Sequence, residues 1–216
     1  TVDAGTAIVD AGVAVVDAGT VASGEGEGEG EGEGELDAGC VMVETTYPTG
    51  GDSHVDAGQE VEYPQNPPTS GNHWPIWAKY EVHDEAVPRE VYVHNLEHGA
   101  IVLLAGPNTP PEVIDELQSV YADLPLDYVC VGYGAYHKRA LYVFDPLLDD
   151  PVAIVAWDHV LTSTGCVDEA RIEQFLNDYR GQGAEETCGD GQWPYPPGVW
   201  PDHINDTDGG PSGMDH

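Results

Sequence analysis

The chain has 216 residues, room for one domain of ordinary size plus tails, and its 40 acidic residues against 6 basic ones give a formal charge of -34. Such a charge repels phosphate backbones and anionic lipid, which excludes nucleic acid as an expected partner and leaves metal cations or basic surfaces as better ones. No apolar run approaches the roughly 18 residues that a membrane-spanning helix needs, so none is expected.

Residues 1–39 are of low complexity. Val-Asp-Ala-Gly recurs from Val2, Val9 and Val16, and Gly24 to Glu35 is a strict Gly-Glu alternation. One valine per repeat beside an invariant glycine cannot make a coiled-coil seam. Glycine entropy and self-repulsion predict an extended, disordered acidic spacer that the folded domain does not need, rather than a calcium-binding tract. Repeats of this style resemble the tethers that follow the lipidated cysteine of bacterial surface lipoproteins. The chain begins without an initiator methionine or signal peptide, so Thr1 is expected to arise either by processing, with room for a lipid anchor upstream, or from the choice of expressed segment.

From Cys40 the composition changes. Val41–Glu44 and Gln59–Tyr63 read as short strands, and Asn66–Trp77, with Pro67, Pro68 and Pro75, reads as an irregular loop that folds down over something. Val91–Ala105 reads as strand, turn and strand. A helix is predicted over 110–122, with Thr109 as its cap, then strands over Asp127–Tyr136, Ala140–Phe144 and Val152–Val160, and a last helix from Asp168 to Tyr179 stopped by Gly181. The sum is an α+β (or α/β) domain over 40–188, a small mixed sheet with two or more helices, followed by an irregular tail over 189–216. No G-x-G-x-x-G follows a strand, which argues against a Rossmann fold.

Cys40, Cys130, Cys166 and Cys188 include no C-x-x-C pair, and their even number predicts two disulfides. Of the three connectivities, Cys166 with Cys188 and Cys40 with Cys130 is the expected one; a buried free thiol at Cys130 is the alternative.

The chemistry concentrates in Val93-His94-Asn95-Leu96-Glu97-His98-Gly99, where two imidazoles and a carboxylate interrupt an apolar run. Buried without partners, each would cost on the order of 1–3 kcal/mol. Extended, His94 and His98 would lie roughly 13 Å apart at about 3.3 Å per residue, whereas a helical turn brings them to about 6 Å along one face. The segment matches H-x-x-E-H, the inverzincin pattern in which two histidines hold zinc and the glutamate is general base. That pattern requires a sustained helix. The β-branched Val91, Val93, Ile101 and Val102, with Gly99 directly after the motif, instead predict a tight turn at 94–98 between two strands.

A mononuclear metal site needs three or four ligands, so His73, in the proline-bounded loop, is the expected third beside His94 and His98. Glu97 is expected behind the ligands or as a general base, with Tyr63, Trp74 and Trp77 as walls. His54, His83, His137 and His159 are isolated in the sequence and are expected to be surface or hydrogen-bonded core histidines. Imidazoles without a nearby cysteine or methionine suit copper first and zinc next. The bland alternative is a hydrogen-bond network among the three imidazoles and Glu97.

The blocks Pro-Pro-Thr-Ser-Gly-Asn-His-Trp (67–74) and Val-His-Asn-Leu-Glu-His-Gly (93–99), with Ala153–Trp157 and Tyr179–Gly181, resemble a bacterial and archaeal family of exported or membrane-anchored proteins catalogued as a domain of unknown function. The likeness covers roughly residues 59–185 and implies an extracytoplasmic address. It implies no activity. The residues themselves support an extracytoplasmic metal-binding protein, with a metal-dependent hydrolase or copper oxidase using Glu97, or a structural surface protein without metal, as the alternatives.

Overall fold

The structure, a computed structural model, describes residues 39–185 and 187–194, so the expectation of a disordered acidic spacer falls almost wholly outside it, as does most of the expected C-terminal tail. The described chain is an α+β fold. In order, its elements are β1 (Met42–Thr46), α1 (Arg89–Glu97), β2 (Ile101–Ala105), α2 (Pro111–Asp123), α3 (Tyr128–Gly132), β3 (Ala140–Phe144), β4 (Val152–Ala156), β5 (His159–Ser163) and α4 (Glu169–Tyr179).

The strands form one mixed sheet in the order β1-β5-β4-β2-β3, with β2 and β3 parallel and every other pair antiparallel. A parallel pair needs a crossover, which α2 supplies. The sequences Ile-Val-Leu-Leu-Ala of β2 and Val-Ala-Ile-Val-Ala of β4 are buried at every position, as a central strand covered on both faces must be. Val102, Leu104, Val143 and Val155 meet α1 and the loop before it; Ile101, Leu103, Ile154 and Leu161 meet α2 and α4. α1 therefore owns one face of the sheet together with irregular chain.

Several expectations change. The turn at 94–98 is the end of helix α1, which runs on from Pro88. Residues 90–97 are all buried, and packing against the sheet overrides the β-propensity of Val91 and Val93. Gly99 is the helix stop: at φ +75 it donates its N–H to Leu96 O while Ala100 N–H reaches Asn95 O, a Schellman pair. Gln59–Tyr63 is not a strand, because Val61 N–H goes to the Glu90 side chain instead of a ladder. Asp127–Tyr136 is not a strand either. The Asp127 carboxylate accepts from Val129 and Cys130 N–H and starts α3, leaving Tyr128, Val129, Tyr133 and Tyr136 exposed. The run Val152–Val160 is a hairpin folded at Trp157 and Asp158, the latter at φ 64. α2 and α4 lie where expected, although the Thr109 hydroxyl bonds Pro151 O and does not cap α2.

The disulfides are Cys40–Cys166 and Cys130–Cys188, against the expected pairing, and no described cysteine is free. The sheet register explains the first. Met42 lies opposite Ser163 in the antiparallel β1–β5 pair, which carries Cys40 to the loop that holds Cys166. The second ties the chain after α4 to α3. Among the described residues no helix is long and apolar enough to cross a membrane.

Candidate metal centre

α1 carries His94, Glu97 and His98 on its last turn, where i,i+3 and i,i+4 spacing puts all three side chains on neighbouring positions. The loop before it is pinned to the helix by Asn95, whose side chain accepts from Ala78 N–H and donates to Ala78 O, both at 2.8 Å. This clamp seats Trp77 against the rings of His94 and His98, at centroid distances of 5.0 and 4.6 Å. His73, 0% exposed, enters from the same loop, as the sequence predicts.

His54 joins them, and the sequence reading misses it. Val55 N–H donates to His73 O and His73 N–H to Ser53 O, a short parallel bridge that lays residue 54 beside residue 73. The rings of His54 and His94 are then 4.8 Å apart. Nothing in the local sequence announces this, because the bridge pairs segments about twenty residues apart with no strand pattern in either. His83, His137 and His159 do stay outside the cluster: His83 and His137 bond backbone carbonyls and His159 stacks on Tyr179.

Ligand-capable atoms of His54, His73, His94 and Glu97 all lie within 4.8 Å of one another. Glu97 Oε2 is 3.0 Å from His73 Nε2, 3.8 Å from His94 Nε2 and 4.0 Å from His54 Nε2. His98 is adjacent, its Nε2 3.1 Å from His94 Nε2, but it shares a second set with Glu97 and Glu185. Of the expected trio, His73 and His94 share one set with His54 and Glu97, while His98 stands beside His94 and falls in the second set.

The outer hydrogen bonds fix the protons. His73 Nδ1–H donates to Gly71 O at 2.8 Å and His94 Nδ1–H to Trp74 O at 2.7 Å, so in the neutral rings both Nε2 lone pairs point inward. Burial, then the neighbouring His98, His73 and His54, hold His94 well below the ordinary histidine range. Burial first, with His73, His54 and Arg139 behind it, pushes His98 down to about 3. His54, half-buried, is lowered by burial and by His73. Neutral imidazoles are the metal-binding form. The cluster thus presents several bare nitrogens and a carboxylate to one small volume.

A family model described as protein of unknown function (DUF3105) matches residues 54–190, a span that contains every residue of the cluster. Neither the curated proteins nor the solved structures give a match.

Proposed function

Because the chain belongs to the DUF3105 family, which brings no activity with it, we propose from the site alone that the domain binds a transition-metal ion through His54, His73, His94 and Glu97, with His98 beside them. The observation that carries this reading is the contact between His73 Nε2 and Glu97 Oε2 at 3.0 Å. With Nδ1–H committed to Gly71 O, the Nε2 lone pair of that tautomer and a Glu97 carboxylate oxygen face each other as two acceptors. Such a contact is repulsive until a cation lies between them, either a proton or a metal ion. Three imidazoles and one carboxylate are a complete four-ligand set for a metal.

Copper ranks ahead of zinc, since the donors are mostly imidazole and the affinity order favours copper for any N/O set. The paired cysteines fit an oxidising, extracytoplasmic setting, where such a protein would capture or buffer the metal. The test is elemental analysis of protein purified without a metal-affinity tag, before and after reconstitution with copper and with zinc. Bound metal that disappears in His73→Ala and in His94→Ala supports the reading. A wild-type protein that stays metal-free leaves the buried His73–Glu97 hydrogen bond, a structural network, in its place.

A second reading has one observation in its favour: H-x-x-E-H spans the last turn of α1 with His98 as its C-cap, near the helical context in which that pattern serves hydrolysis. Here Glu97 acts as general base on metal-bound water. Hydrolysis of model peptides and esters by the reconstituted protein, lost in Glu97→Gln while metal is retained, would favour it over capture.

A further inference from the structure

Resting on the metal reading above, we propose that the centre is dinuclear: a second ion lies among Glu97, His98 and Glu185, and the Glu97 carboxylate bridges the two ions. Ligand-capable atoms of these three residues lie within 4.8 Å of one another, with His98 Nε2 3.6 Å from Glu185 Oε2. Glu97 is the one residue common to this set and to the set with His54, His73 and His94. It is also the residue type suited to the role, because a carboxylate has two oxygens and can hold ions about 3.5–4 Å apart. His94 and His98 stand side by side at the seam, their Nε2 atoms 3.1 Å apart, one in each set.

Two further features point to an ion at the outer position. The His98 ring is 4% exposed and is held between His94 and Glu185. Its Nε2 faces both His94 Nε2 and Glu185 Oε2, so it is the ring atom placed to hold the outer ion. Secondly, Glu185 is brought in by the backbone. Glu185 N–H donates to Glu97 O at 2.9 Å and Gly181 N–H to Gly99 O at 2.8 Å. Gly183 lies so close that a Cβ there would stand 2.0 Å from Glu97 O, an approach only glycine permits. Among the described residues the ion-pair partners of Glu97 and Glu185 are histidines only, with no lysine or arginine to balance two facing carboxylates.

The two positions differ in access. The inner set is buried except for His54, whereas the Glu185 side chain is 60% exposed, so the outer ion has three protein ligands and a side open to water. It is the exchangeable ion of the pair.

The experiment loads the full-length chain with Cu(II), removes unbound metal by desalting, and measures copper per chain together with the Cu(II) electron paramagnetic resonance signal. Wild type is expected to hold two coppers, with the signal weakened by coupling through the bridging carboxylate. Glu185→Gln keeps the backbone bond and changes only an exposed side chain; it is expected to melt like wild type without metal, to hold one copper, and to recover the full uncoupled signal. One copper in both proteins overturns the second ion and leaves the inner site standing. Two in both overturns it as well, since the extra ion is then bound elsewhere. One in wild type and none in the variant makes Glu185 a ligand of a single ion and also overturns it. No copper in either removes the underlying metal reading along with it.

Discussion

His98, with His94 beside it, carries the acid sensitivity of the fold. Its folded-state pKa is about 3, below the ordinary histidine value of about 6.5, and that of buried His94 is depressed in the same direction. Below about pH 6.5 the unfolded chain takes up protons on these rings that the folded chain refuses. Their contribution is therefore fully present above pH 6.5 and is lost as pH falls from there toward 3. Urea unfolding of metal-stripped protein is expected to lose up to about 1.4 kcal/mol per pH unit for each such histidine in that window. In His98→Gln the slope should flatten; an unchanged slope would place the titration elsewhere. His54 separates binding from folding, because its side chain is 39% exposed and, among the described residues, its ring meets the cluster at Glu97, His73 and His94. His54→Ala is expected to leave the metal-free melting temperature unchanged and to weaken metal binding by about tenfold or more, measured by competition with a chelator of known affinity.

At the scale of elements, α1 decides whether there is a site at all. Its stop at Gly99 combines φ +75 with a backbone contact: a Cβ would lie 2.8 Å from both Gly181 Cα and Gly181 C. Gly99→Ala is expected to cost roughly 1–3 kcal/mol of stability and to loosen the segment that carries Glu185, read as a lower urea midpoint with reduced metal uptake. Asn95→Ala should cost a similar amount, because Ala78 N–H and Ala78 O would both be left buried without partners. This element also shows where the sequence is legible. The helices α2 and α4 are readable from periodic apolar residues and the strand β2 from its unbroken apolar run. α1 is not, because a helix buried on nearly all sides carries no amphipathic stripe and its β-branched residues answer to packing instead of propensity. Gly99 is legible as a break, but the same glycine serves a turn or a helix stop equally well. His73 and His94 can be drawn together from residue type and local spacing, with His98 as the neighbour of His94. His54 and Glu185 cannot, since each is delivered by backbone hydrogen bonds between segments distant in sequence.

Over the whole molecule, cross-links bind chain that the sheet alone does not hold. The disulfides span 126 and 58 residues and fasten the start of β1 and the segment after α4; reducing both is expected to cost about 2–4 kcal/mol per bridge in unfolding free energy. Thiol titration of denatured, unreduced protein should find none free among these four, and peptide mapping should pair Cys40 with Cys166. A metal bound at the proposed site would be the second cross-link. His54 lies on the chain after β1, His73 on the irregular loop, and His94 and Glu97 on α1, so one ion would join three segments whose mutual contacts are loops on a helix. Such a site does not exist in the unfolded chain, and the binding free energy therefore adds to folding. Free metal at one hundred times its dissociation constant should add about 2.7 kcal/mol, seen as a higher melting temperature that depends on metal concentration. Amide exchange should slow at residues 53–55 and 71–74, where the bridge between His54 and His73 is otherwise two hydrogen bonds long. In His73→Ala the metal-induced shift and the added protection should both vanish. In His159→Ala, whose ring bonds Thr46 and stacks on Tyr179 away from the cluster, both should persist. If metal raises the melting temperature of His73→Ala as much as that of wild type, the ion binds elsewhere, and the acidic residues of the chain become the place to look.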